Sequence, residues 1–184
     1  MTAPNAAMDA LVRAAVSATG ATGGWLLARE RDAFVIRAVL VEQPGRLIGR
    51  RVPVSGTAGF VVSSSQPLAL SNVRGDDRFA HESDDSLLRP SASVLSVPCS
   101  DEDETCGVLE VIDKAGGASF SYDDLEFVTL LADVAGPMLA NDAGASRAAP
   151  EPRELAQGLA GLAVSNPVRY AALATMISSL LSHE

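Results

Sequence analysis

Few residues in this chain have types and spacing suited to chemistry. Two histidines occur in its 184 residues, His81 and His183, and His183 stands beside the C-terminal residue. A serine, threonine or cysteine nucleophile needs a base within hydrogen-bond reach. His81, next to Glu82, is the one candidate base or haem ligand, and a lone loop histidine without partners serves as neither. The chain is therefore read as non-catalytic, and haem is not expected. Two cysteines, Cys99 and Cys106, flank the stretch Ser100-Asp101-Glu102-Asp103-Glu104-Thr105. Directly opposed residues on antiparallel strands lie about 4.5 or 5.5 Å apart at Cα, within the roughly 4.4–6.8 Å that a disulfide spans. A redox pair stays open if the register opposes them. The four intervening carboxylates disfavour a thiolate, so two reduced thiols, with no dependence of the fold on them, are the expectation. Those carboxylates lack the glycine and spacing of a calcium loop. They read as a soluble sheet end, and no metal site is expected.

The remaining polar chemistry gathers in residues 71–92, which include Asp76, Asp77, Arg78, His81, Glu82, Asp84, Asp85 and Arg89. A long irregular stretch inside a compact domain is commonly a lid or binding loop; a solvated loop with a short helix is the alternative. The candidate ligand contacts are Asp77, Arg78, Phe79 and Arg89, with Ser91 and Ser93 near the mouth of the next strand. Arg78 or Arg89 is suited to hold an anionic group by two hydrogen bonds, against a surface salt bridge for each.

The elements around these residues follow from periodicity. Met8, Leu11, Val12, Ala15 and Val16 predict a helix over 6–19. Trp25–Arg29 and Ala33–Val41 read as strands around the turn Glu30-Arg31-Asp32, with Phe34, Ile36 and Ala38 alternating against Val35, Arg37 and Val39. Ala58, Phe60, Val61 and Val62 predict a short helix capped near Ser55 or Thr57, and Leu68–Leu70 a short strand. Ser93–Cys99 and Cys106–Asp113 make a hairpin. Ser121-Tyr122-Asp123-Asp124 resembles a capping box, with Phe120 and Leu125 placed as a hydrophobic staple. The helix it opens runs to about residue 140, with Pro137 expected to kink its last turns. Residues 143–152 read as a linker, and 153–184 as a helical tail broken at Asn166-Pro167.

Composition bounds the rest. A net charge of −9 argues against unaided binding to nucleic acid or anionic membrane. The N-terminus does not read as a signal peptide. The uncharged run Leu155 to Val168 is too short for a membrane span. A cytoplasmic protein is expected.

The order of these elements, with several short motifs, resembles the GAF domain family. Val52-Pro53-Val54-Ser55-Gly56-Thr57-Ala58-Gly59-Phe60-Val61 is similar to the family's glycine-marked start of a helix. Gln66-Pro67-Leu68-Ala69-Leu70-Ser71-Asn72-Val73, followed by Asp77-Arg78-Phe79, is similar to its next strand and Asp-x-Arg-Phe region. Ser93-Val94-Leu95-Ser96-Val97-Pro98 and Cys106-Gly107-Val108-Leu109-Glu110-Val111 resemble its last two strands. The resemblance covers roughly 5–140 and implies an α+β domain over 5–142. It implies an antiparallel five- to six-stranded sheet with flanking helices, and a ligand cavity between one sheet face and the 55–92 segment. Cyclic-nucleotide-binding members carry Asn-Lys and then Phe-x-x-x-Asp-Glu. Here Asp113-Lys114 and Phe120-x-x-x-Asp124-Leu125 keep the lysine and one acid, which reads as a structural Lys114–Asp124 ion pair. Residues 55–93 contain no cysteine, so a covalent bilin and the family's methionine-sulfoxide reductase chemistry are not expected.

The function expected is a non-catalytic signalling domain. It would bind a small molecule, a protein partner or both, and pass the change through its terminal helices. The alternatives are a ligand-free dimerisation or interaction module, and a redox sensor using Cys99 and Cys106. A homodimer through residues 6–19, 121–140 and 153–184 is expected, because apolar helical surface exceeds what one sheet face buries. The ligand and cofactor are not named by the sequence.

Overall fold

A computed structural model describes residues 5–42, 47–79, 92–148, 152–167, 170, 171 and 174. The chain divides into two compact units, Met1–Ala143 and Gly144–Glu184. The first begins with α1 (Ala6–Thr19), whose orphan N–H groups at Ala7 and Met8 are accepted by the Asn5 side chain at 3.1 and 3.4 Å. Gly20 ends it in the left-handed conformation, φ +66°.

Six antiparallel strands follow: β1 (Ala21–Glu30), β2 (Ala33–Leu40), β3 (Arg51–Pro53), β4 (Leu68–Leu70), β5 (Val94–Asp101) and β6 (Glu104–Lys114), in the order β3-β2-β1-β6-β5-β4. The short helix α2 (Gly56–Ser64) lies between β3 and β4, and α3 (Tyr122–Ala148) follows β6. The architecture is α+β with helices on both sheet faces. β3 was not evident in the sequence: three residues alternating exposed, half-buried and exposed carry no apolar signal.

Strand alternation sorts side chains onto two faces. Leu26 and Ala28 of β1, Leu109 and Val111 of β6, and Leu95, Val97 and Cys99 of β5 pack with Met8, Val12, Ala15 and Val16 of α1 and Val128, Ala132, Ala135 and Leu139 of α3. Trp25, Leu27, Phe34, Ile36, Val94, Val108 and Ile112 pack on the other side with Ala58, Val61 and Val62 of α2.

Two bulges correct the simple alternation. Leu26 pairs with Ala38 and Leu27 with Ile36, so Arg37 is the extra residue of β2. Ala38 therefore joins the α1–α3 face and not the face of Phe34 and Ile36. Arg37 is buried and bridges two acids, Glu30 at 2.6 Å and Asp142 of α3 at 2.9 Å. On β5 and β6, Cys99 pairs with Gly107 and Ser100 with Thr105, which leaves Cys106 in the bulge. The two cysteines are thus not directly opposed. Gly107 is required by packing, since a Cβ there would overlap the Leu27 carbonyl. Gly136 of α3 lets the helix lie against Ser100 in the same way.

The capping box closes: Ser121 N–H donates to Asp124 Oδ2 at 2.6 Å, and Asp124 N–H to Ser121 Oγ at 3.2 Å. α3 runs on through Pro137 and reaches Ala148. The buried Ala135 and Leu139 on either side of the proline hold the helix to the sheet, and packing outweighs local propensity. Most of the stretch read as a linker, 143–152, is consequently helical. Its alanines are strong helix formers and outweigh the turn-like Asn141-Asp142. In the second unit, α4 (Pro152–Ser165) ends before Asn166, which interrupts the helical run ahead of Pro167. No helix among the described residues is long and apolar enough to cross a membrane.

Candidate functional site

The sheet register builds a polar row on the α2 face. Glu110 of β6 pairs with Trp25 of β1 on one side and Ser96 of β5 on the other. All three side chains point toward α2. Trp25 Nε1–H donates to Glu110 Oε2 at 2.6 Å, and Ser96 Oγ–H donates to Oε1. From above, Thr57 Oγ1–H of α2 donates to the same Oε1 at 2.6 Å. Thr57 thus does no capping. Ser55 is the N-cap by backbone, and its side chain makes no cap bond. Glu110 is 3 % exposed. Burial pushes its carboxyl above the usual carboxylate range, while the bonds from Ser96, Thr57 and Trp25 pull the other way. An acid at the centre of an apolar face, satisfied by neutral donors alone, is the chemically distinctive group of this domain. Sequence reasoning missed it. The signal was a lone acid inside Val108-Leu109-Glu110-Val111-Ile112, but the partners that make it a site come from three other elements.

The residues singled out in the 71–92 segment divide. Asn72 accepts from Gly75 N–H at 3.1 Å and opens a 3₁₀ turn, Val73–Gly75. Beyond it Asp76 takes Arg78 in a two-pronged pair, Nε to Oδ1 at 2.9 Å and Nη2 to Oδ2 at 2.7 Å. The hydrogen bonds from Arg78 hold the Asp76 carboxyl below its ordinary value, and Asp76 raises Arg78 in turn. The guanidinium also lies 5.4 Å from the Phe60 ring centroid and 5.1 Å from that of Phe79, which meet edge to face at 6.1 Å. Phe79 is buried, and Asp77 is exposed. Two of the donors suited to an anion are thus already spent on Asp76, so Arg78 pins this segment to α2. Ser93 is buried at the start of β5. Its oxygen accepts from Lys114 N–H at 3.2 Å, and its N–H donates to Asp113 Oδ1 at 3.3 Å. These bonds tie the ends of β5 and β6 together. Arg89, Ser91, His81 and His183 lie outside the described residues.

Lys114 Nζ pairs with Asp124 Oδ2, joining the end of β6 to the start of α3. Burial raises the Asp124 carboxyl, but the bonds from Lys114 and Ser121 together outweigh it, and its pKa falls below the ordinary value. No disulfide joins Cys99 and Cys106. Cys99 is fully buried, and burial pushes its thiol far up, so it forms no reactive thiolate. Among the described residues no cluster of three or more histidines, cysteines or acids is placed to hold a metal ion.

The family model for the GAF domain matches residues 3–138. The second GAF domain of DevS from Mycobacterium smegmatis superposes with a TM-score of 0.58 at 22% identity, covering 80% of this chain and 100% of that one. The GAF domain of a phosphoenolpyruvate-protein phosphotransferase from Acinetobacter gives 0.64 at 19% identity, covering 79% and 84%. A type II free methionine-R-sulfoxide reductase from Thermoplasma acidophilum gives 0.60 at 15% identity, covering 73% and 90%. At these identities the likeness speaks for the fold and not for a ligand. On the family match and the shared architecture together, the chain belongs to the GAF domain family, whose members are in the main non-catalytic sensory and regulatory signalling domains.

Proposed function

We propose that this chain is a non-catalytic cytoplasmic signalling domain that takes a small molecule against the α2 face of its sheet and works as a homodimer. The observation that carries the ligand is Glu110. A domain selected for stability alone gains nothing from an ionisable group at the centre of a packed face, and functional sites are where such groups concentrate. Among the described residues, the serine and threonine hydroxyls bonded to it, Ser96 and Thr57, have no base other than this carboxyl, whose Oε1 they share, which favours binding over catalysis. The dimer is supported by α3, where Phe127, Leu130 and Val134 recur along one exposed stripe, Leu130 at 60% and Val134 at 55% exposure. An apolar stripe at that spacing is a seam for another helix.

The ligand-free interaction module is favoured by one observation: ten buried residues already fill the α2 face. The redox sensor has less support, because Cys99 is buried and offset from Cys106 by the bulge. A native mass spectrum of freshly purified protein decides among these. A dimer mass carrying an additional small molecule is expected. A dimer with no added mass selects the interaction module, and a monomer at micromolar concentration removes the dimer. A native protein with no thiol reactive after unfolding, restored by reductant, would bring back the redox pair.

A further inference from the structure

Glu110 keeps neutral company. Trp25 Nε1–H donates to Oε2, and Thr57 and Ser96 share Oε1. An indole N–H only donates, so Oε2 accepts in either protonation state, and a carboxylate offers about four acceptor positions of which three are used here. No cation stands among these partners, from β1, β5 or α2. A buried carboxylate without one is unfavourable.

The cover over this group is held unevenly. Toward its C-terminal end, α2 is fastened by the Ser65 and Thr105 hydroxyls, 3.1 Å apart, and by Val61 and Val62 in the core. At its N-terminal end the cap side chain makes no cap bond, Gly56 sits at φ +68°, Ala58 packs in the core, and among the described residues the side-chain hydrogen bond is that of Thr57 to Glu110. The start of α2 is thus joined to the sheet through Glu110 itself, by the Thr57 hydroxyl.

The geometry points to a binding site on Glu110 for a small molecule presenting a planar N–H cation, an amidinium or guanidinium, which enters at the start of α2 and replaces the Thr57 hydroxyl on Oε1. A planar fork of N–H groups meets a carboxylate in two parallel bonds and supplies the charge the site lacks. Thr57 is a placeholder that keeps the carboxyl satisfied while the site is closed. This inference rests on the sensor reading above and names the group its ligand presents.

Trp25 is the chain's single tryptophan and donates to the same carboxyl, so its emission reads the site directly. Methylguanidinium chloride is titrated into the full chain, against sodium chloride at equal ionic strength. A saturable change in Trp25 emission with methylguanidinium alone is expected. In E110Q, which keeps a carbonyl for Trp25, the affinity should fall about tenfold or more. In T57V, which clears the competitor from Oε1, it should rise. A response shared with sodium chloride, one unchanged in E110Q, or weaker binding by T57V overturns the proposal. So does a molecule retained equally by wild type and E110Q in the native mass spectrum, an outcome that leaves the sensor reading standing. An E110Q-sensitive methylguanidinium response supports the site whether or not the purified protein carries a retained molecule.

Discussion

The two faces of this sheet are built from the same strands and differ in one respect. Toward α1 and α3 the inward positions of β1, β5 and β6 are Leu26, Ala28, Leu95, Val97, Leu109 and Val111, a dry core closed by two helices. Toward α2 the neighbouring positions of the same strands are Trp25, Ser96 and Glu110, a polar row among apolar residues, covered by one helix of nine residues. The first face does what burial does, which is to hold the fold together at roughly 25 cal/mol per Å² of apolar surface. The second gives up part of that gain to keep an acid in place. A domain can afford a chemically active face because its other face is purely structural.

Substitutions on β6 break this comparison most directly. Glu110→Ala leaves the Trp25, Thr57 and Ser96 donors without an acceptor, and should destabilise by about 3–5 kcal/mol in urea unfolding. Leu109→Ala, one residue away on the opposite face, leaves a cavity and should lose about 2–5 kcal/mol. The two are told apart by pH: the Leu109 loss should be the same at every pH, and a Leu109→Ala loss that varied with pH would undo the division between the faces.

Glu110→Gln sharpens the point. Because the folded carboxyl is raised above its unfolded value, about 4.3 for glutamate, the native state holds the proton more tightly than the unfolded chain. Stability therefore falls as pH rises from the unfolded value through the folded one, and the cost is complete above it. The glutamine variant has no such cost. Its melting temperature relative to wild type should climb through that window and then level off. A flat difference would mean that Glu110 titrates normally.

Smaller effects are expected where the row and the dry core give way to strand ends and surface. Asp124 behaves oppositely to Glu110, since its folded pKa is lowered. Its pairing stabilises above the unfolded value, about 3.9, and is lost as pH falls through the folded one. Lys114→Ala should cost up to about 1 kcal/mol at neutral pH, with the difference from wild type vanishing on acidification. Arg78→Ala should leave the unfolding midpoint unchanged within error, because the side chain is half exposed. What it should change is backbone exchange at Asp76–Phe79 and α2. Unaltered exchange there would show that the aromatic contacts with Phe60 and Phe79 pin nothing.

Local signals made much of the fold legible. The spacing of Met8, Leu11, Val12, Ala15 and Val16 marks α1, the capping box of Ser121 and Asp124 opens α3, and the apolar runs of β5 and β6 declared a hairpin. Bulges did not show. Arg37 and Cys106 look like ordinary strand residues, and only pairing reveals the extra residue on one strand. For the same reason the distance between Cys99 and Cys106 along the chain did not tell whether they oppose. Arg78 stood out because charged residues in a polar stretch always do. Its partner Asp76 and its aromatic neighbours, which spend much of that charge locally, needed coordinates.

By itself the sequence determined what depends on neighbours within a turn or two: caps, strand alternation, the glycines at helix ends, and the apolar faces that any fold of this chain must bury. The tertiary structure decided which face each residue shares and with whom. Glu110 shows why. Its three partners lie at positions 25, 57 and 96, from 14 to 85 residues away in the chain. A hydrogen bond between residues so far apart leaves no local trace, because it exists only once β1, β5 and α2 have closed around β6.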